Sequence, residues 1–169
     1  MSNNRKKMNI IKFLQMLFLC IFFLNIDNIK ADEELVPLKD LIKQQNLKSE
    51  IGKLKYLANF SLQCGSLFKA INELTPNNNI MLASVNLQEG ALITKIMLKK
   101  TEQRKIKEEI DTQILFMKNK YLNLMKKNLA SNGDYIEGSE IINSDQKICK
   151  KFVPRFYKFL KSNNFRIKK

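Results

Sequence analysis

The chain has no histidine and no tryptophan, and only five glycines, three prolines and three cysteines. Without histidine there is no imidazole general base, no histidine metal ligand and no Ser-His or Cys-His nucleophile. There is also no C-x-x-C pair to tune a thiolate, no glycine-rich phosphate loop, no G-x-S-x-G and no metal-binding spacing. These absences leave no recognised catalytic equipment, so a non-enzymatic protein without a cofactor is expected. Strands are equally poorly represented: no segment alternates apolar and polar residues long enough to form one.

What is present begins with an export pattern. Arg5, Lys6, Lys7 and Lys12 precede or open the apolar run Phe13 to Ile26, and Ala31 offers a cleavage point before Asp32. A run of that length is shorter than the roughly 20 residues of a permanent span and suits a signal core, so residues 1–31 read as a signal peptide. Ile29 at the position three before the cut and Lys30 beside it favour the alternative, an uncleaved anchor. Cys20 follows Leu19, not a small residue, which argues against lipidation. The expected address is the periplasm or the outside of the cell, the alternative being attachment to the membrane on its non-cytoplasmic side.

The segment 32–169 has the length of a single domain. Its first 31 companions contribute +4 of the net charge of +14, which leaves +10 on the remainder. Such a charge concerns partners and not fold. An anionic membrane surface, a cell-wall polymer or a protein partner fits an exported chain; nucleic acid does not, and no nucleic-acid-binding motif is visible. A base composition rich in Lys, Asn and Ile codons explains part of the charge without any partner.

Beyond Cys20, two cysteines remain, Cys64 and Cys149. In an oxidising compartment an even count reads as a disulfide, the other reading being two buried thiols. The loop it would close stabilises by about 4 to 5 kcal/mol on the loop-entropy model.

Periodicity predicts an all-α chain. Pro37 opens a short helix through Gln45. Ser49 caps a helix to Leu74 carrying Ile51, Leu54, Ala58, Leu62, Cys64, Leu67, Phe68, Ile71 and Leu74 on one face, ended by Thr75-Pro76. Residues 80 to 100 carry Leu82, Val85, Ala91, Leu92, Ile96 and Met97, with Gly90 as a weak point. Residues 101 to 131 carry Ile106, Ile110, Ile114, Met117, Tyr121, Leu124 and Leu129. One helix over both would extend roughly 75 Å, so a bend near Thr101 is expected, a protruding coiled coil over 80–131 being the alternative. Asn132-Gly133 stops the helix. Asn143 then caps a last one, with Gln146 completing a capping box and Ile148, Cys149, Phe152, Phe156 and Leu160 as its stripe. Pro154 is expected to kink or split it. The resulting architecture is an antiparallel bundle of about four helices in which Cys64 faces Cys149.

Three groups of side chains invite a functional reading. Glu108, Glu109 and Asp111 lie among Arg104, Lys105 and Lys107, where surface ion pairs are expected. Glu137 and Glu140 at a loop edge make a poor metal site. Asp145 shares a helix face with Cys149 and reads as a first-turn acid favourable at a helix N-terminus. The strongest positive feature is the C-terminal stretch, with cations at Lys147, Lys150, Lys151, Arg155, Lys158, Lys161, Arg166, Lys168 and Lys169 interleaved with Phe152, Phe156, Tyr157, Phe159, Leu160 and Phe165. Lys150, Lys151, Arg155, Lys158 and Lys161 are the candidates for contact with an anionic surface, where charge attraction and apolar burial would add. The plainer reading puts the aromatics in the core and leaves the lysines hydrated. Together these features predict a small exported helical protein that binds an envelope component or a protein partner. The alternative is an anchored coiled coil that oligomerises through 80–131.

Overall fold

Five helices make up the described part of a computed structural model of the chain, which covers residues 35–44, 47–99 and 102–165. They are α1 (Leu38–Gln44), α2 (Glu50–Leu74), α3 (Asn78–Leu98), α4 (Gln103–Asn132) and α5 (Glu140–Ser162). No strand occurs among the described residues, and the helices pack as a bundle. The signal or anchor, with Cys20 and Ala31, lies outside the described residues, as do Gln45, Lys100, Thr101, Arg166, Lys168 and Lys169.

The caps follow from side-chain acceptors placed where helix N–H groups lack partners. Ser49 accepts from Gly52 N, and Asn77 accepts from Asn79 N and Ile80 N. Gly133, at φ 76°, ends α4 in the left-handed region that a Cβ would disfavour. Asn143 is not the cap of α5. The cap lies four residues earlier, where Ser139 accepts from Ile142 N, and the Asn143 amide instead donates to the Ile136 carbonyl. Nor does Pro154 split α5, which is continuous through it. Pro154 and Lys150, whose carbonyl loses its helical donor, both lie on the solvent side, where water can replace that bond.

Residues 80–131 fall in two helices, the first ending at Leu98 and the second beginning at Gln103. α3 and α4 then run back along each other: Gln88 donates to Asp111, while Lys95 and Lys99 both reach Glu109. The expected bend is present, and no single rod forms.

The sequence predicts one buried face on α2, but every residue from Phe60 to Phe68 is buried. The helix is central, with α3, α4 and α5 packed around it and α1 touching it. Small and polar residues make this possible. Gly65 lets α3 approach until a Cβ built there would stand 3.3 Å from the Leu87 Cβ, and Ser84 Oγ donates to the Gly65 carbonyl. Ser66 Oγ reaches the carbonyls of Leu62 and Ile114. Three apolar positions expected inside are at the surface: Ile51, Met97 and Leu129. On α4 the stripe instead runs from Tyr121 through Met125 to Asn128, following the 3.6-residue turn. Gly90 is a packing requirement and not a weak point, because a Cβ there would lie 2.2 Å from the Phe156 ring.

Candidate anion-binding face

α5 divides its side chains sharply. Ile142, Asp145, Cys149, Phe152, Phe156 and Leu160 are buried, at spacings of three and four that place them on one side. Phe152 packs on Phe60 of α2 at 5.3 Å between ring centres and stacks on Phe156 at 5.2 Å. Tyr56 meets Phe152 edge-on at 6.0 Å. Cys149 lies at disulfide-bonding distance from Cys64, with the Cα atoms 5.5 Å apart and both residues fully buried. The helix is therefore fixed to the centre of the bundle by a cysteine pair at bonding distance and by aromatic packing together.

On the opposite side Lys147, Lys150, Lys151, Arg155, Lys158 and Lys161 are all exposed. None of the six pairs with a carboxylate among the described residues, whereas Lys39, Lys43, Lys95, Lys99, Arg104, Lys105, Lys107 and Lys118 all do. Arg155 sits near enough to Tyr56 to offset part of the upward shift that burial imposes on that phenol. The five cations singled out from sequence thus share one helix, and Lys147 extends the row by a turn. Of the residues interleaved with them, Phe152, Phe156 and Leu160 belong to the core, as the plainer reading has it, and Tyr157, Phe159 and Phe165 are half-buried, so the outward face is chiefly charge.

Asp145 is where the sequence reading misses most. It lies in the second turn, fully buried, and does not serve the helix N-terminus. Its carboxylate accepts from Leu38 N at 2.9 Å, from the Tyr121 hydroxyl at 2.6 Å and from Gln63 Nε2 at 3.2 Å. Burial raises the Asp145 pKa, and the hydrogen bonds from Tyr121, Leu38 and Gln63 oppose the rise. The Tyr121 phenol is held well above its ordinary range, first by burial and then by the carboxylate beside it. Gln63 also donates to the Val36 carbonyl, so one buried amide and one buried carboxylate tie α1 to α2, α4 and α5. A signal was available in the sequence: Asp145 falls on the α5 apolar stripe, three after Ile142 and four before Cys149.

The other carboxylates singled out from the sequence are engaged in ion pairs or exposed. Glu108 pairs with Arg104 and Asp111 with Lys107, as expected, but Glu109 crosses to Lys95 and Lys99 on α3. Those two lysines hold the Glu109 pKa below the usual carboxylate range. Glu140 pairs with Lys39 of α1 at 2.7 Å, and Glu137 is exposed. No group of three potential ligands is assembled among the described residues. A groove of about 230 Å³ between α3 and α4 is lined by Val85, Gln88, Glu89, Leu92, Lys107, Ile110 and Asp111. Of its two acids, Glu89 is half-buried and Asp111 is taken up by Gln88 and Lys107. No helix among the described residues is long and apolar enough to cross a membrane.

Compared with known proteins, the chain matches no family model, no curated protein and no solved structure.

Proposed function

We propose that this is a small exported, non-enzymatic helical domain that binds an anionic envelope component through the outward face of α5. The observation that carries this reading is the row Lys147, Lys150, Lys151, Arg155, Lys158 and Lys161, exposed and paired with no carboxylate among the described residues, on a helix whose other side is pinned to the core. Unpaired cations on a rigid element repel one another, and a polyanion relieves that repulsion while releasing its own counterions. The N-terminal signal pattern and a buried cysteine pair at bonding distance support a periplasmic or secreted address.

The test is binding of the purified protein to anionic and neutral envelope polymers and vesicles, before and after replacing Lys150, Lys151, Arg155, Lys158 and Lys161 with glutamine. Binding is expected to be selective for the anionic surfaces, to weaken with added salt, and to fall at least about tenfold in the variant, at roughly 1 kcal/mol per cation near an anionic surface. The melting temperature should move little, since these side chains are exposed. Undiminished binding by the variant would remove the face from the function. The intact mass of the protein recovered from its host tests export: a chain starting at Asp32 supports cleavage, and the full-length mass with reactive thiols opposes it.

A further inference from the structure

Resting on the reading of α5 as an anion-binding helix, we propose that its outward face takes a linear acidic glycan, with acid groups along the cation row and a hydroxyl donating to the Lys150 carbonyl.

The row is long and narrow. From Lys147 to Lys161 the helix rises about 21 Å, and a turn of about 100° per residue puts all six cations within a sector of about 140°. Successive cations are on average about 4 Å apart along the axis. No acid follows Asp145, itself buried, to interrupt them.

A bilayer is the poorer match for such a face, because a surface helix binds membranes by burying its apolar side among the acyl chains as well as by charge. No large hydrophobic side chain of α5 is exposed, Tyr157 and Phe159 are half-buried, and the apolar stripe is committed to Phe60 and Cys64 of α2. An extended polymer needs no apolar anchor. It lies along the helix and relieves the repulsion between the cations over the full length of the row.

Pro154 adds a hydrogen-bonding element. It falls inside the sector occupied by the cations, is exposed, and has no N–H to give the carbonyl of Lys150 one turn earlier. A peptide acceptor without its helical donor therefore stands within the row, on the solvent side. A polyphosphate has no donor to offer it, whereas a glycan carries hydroxyls beside its acid groups. Because α5 is fixed by Cys149 and by its stacked rings, acceptor and cations keep one register, and little ordering is lost on binding.

The test is calorimetric titration of the full-length protein with polygalacturonate, with linear polyphosphate, and with vesicles of phosphatidylcholine and phosphatidylglycerol, at matched anionic charge and ionic strength. Polygalacturonate is expected to bind more tightly than the vesicles. Pro154→Ala gives the Lys150 carbonyl its helical donor, so binding to polygalacturonate should weaken about three- to tenfold, the worth of one hydrogen bond, while binding to polyphosphate should not change. Alanine is the better helix former, so this variant should melt no lower than the parent. Equal effects of Pro154→Ala on both polymers, or none on either, overturn the glycan assignment and leave the anion-binding face standing. Vesicles that bind as tightly as polygalacturonate, or more tightly, overturn it in favour of a bilayer. No binding of the parent to any of the three, or undiminished binding when Lys150, Lys151, Arg155, Lys158 and Lys161 are replaced with glutamine, removes the α5 reading itself and the glycan with it.

Discussion

The bundle contains two hydrophobic clusters, and they are secured by different chemistry. The larger joins all five helices through Leu38, Phe60, Leu67, Leu87, Tyr121, Met125, Phe152 and Phe156, with the cysteine pair and the Asp145 network inside it. The smaller is aliphatic, made of Leu62, Ala91, Ile106, Ile110 and Ile114 from α2, α3 and α4, and its rim carries the Lys95–Glu109–Lys99 and Gln88–Asp111–Lys107 pairs. The first relies on groups out of reach of water, where losing one partner leaves another unsatisfied. The second relies on exposed or half-exposed charges that salt and water can replace. One region should therefore be sensitive to reduction and to single substitutions, the other to ionic strength and acid.

The largest expected effect falls on the first cluster. Cys64→Ser removes a link that closes a loop of 85 residues, and the unfolding free energy should drop by about 4 to 5 kcal/mol. Thermal melts with and without reductant read this: the parent should lose stability on reduction and the variant should not. Equal melting temperatures under oxidising conditions would show that the cysteines are not joined. Asp145→Ala follows, at about 3 to 5 kcal/mol, because Leu38 N, Gln63 Nε2 and the Tyr121 hydroxyl lose a shared acceptor. Urea titration measures it, and proteolysis should show α1 released first, since that helix has the fewest other ties.

Gly90→Ala tests the seam between α3 and α5. The added methyl group would meet the Phe156 ring, so a loss of about 1 to 3 kcal/mol is expected, although alanine favours helix over glycine. Phe156→Leu in the same chain should recover part of it. A stabilised Gly90→Ala would mean that the ring can move aside and that the seam is looser than the structure shows.

The difference between the clusters also explains how much could be read from the sequence. Helix positions, the break near residue 101 and the pairing of Cys64 with Cys149 were legible because periodicity, Gly133 and cysteine count are local signals. The split on α5 was legible as one of two readings: its cations and aromatics were visible, and deciding that Phe152 and Phe156 go to the core required knowing that Phe60 and Tyr56 wait on α2. The all-round burial of α2 was not legible, because Ser61, Gln63 and Ser66 look like surface residues until their acceptors, some on other helices, are known. Asp145 was misread for the same reason. A lone acid near a helix start has a local explanation, and its true partners lie 24 to 107 residues away in the chain.

The smallest effect should come from the rim of the second cluster, and its sign separates the two regions. Glu109→Gln is expected to lower stability by no more than about 1 kcal/mol, because the carboxylate is roughly one-third exposed and salt screens its lysines. Its pKa is lowered in the folded protein, so its contribution is present above the ordinary carboxylate range and disappears as pH falls through the folded value. The gap between parent and Glu109→Gln should therefore close in acid, and close too in high salt. Asp145 has the opposite shift. The folded carboxyl takes up its proton at a higher pH than the unfolded one, so relative to Asp145→Asn the parent should gain stability as pH falls through the folded pKa toward the ordinary aspartate value near 3.9. Urea unfolding of the three proteins across that interval should give two difference curves of opposite slope. Parallel curves would mean that Asp145 is hydrated like a surface acid, and the distinction between the two clusters would fail at its centre.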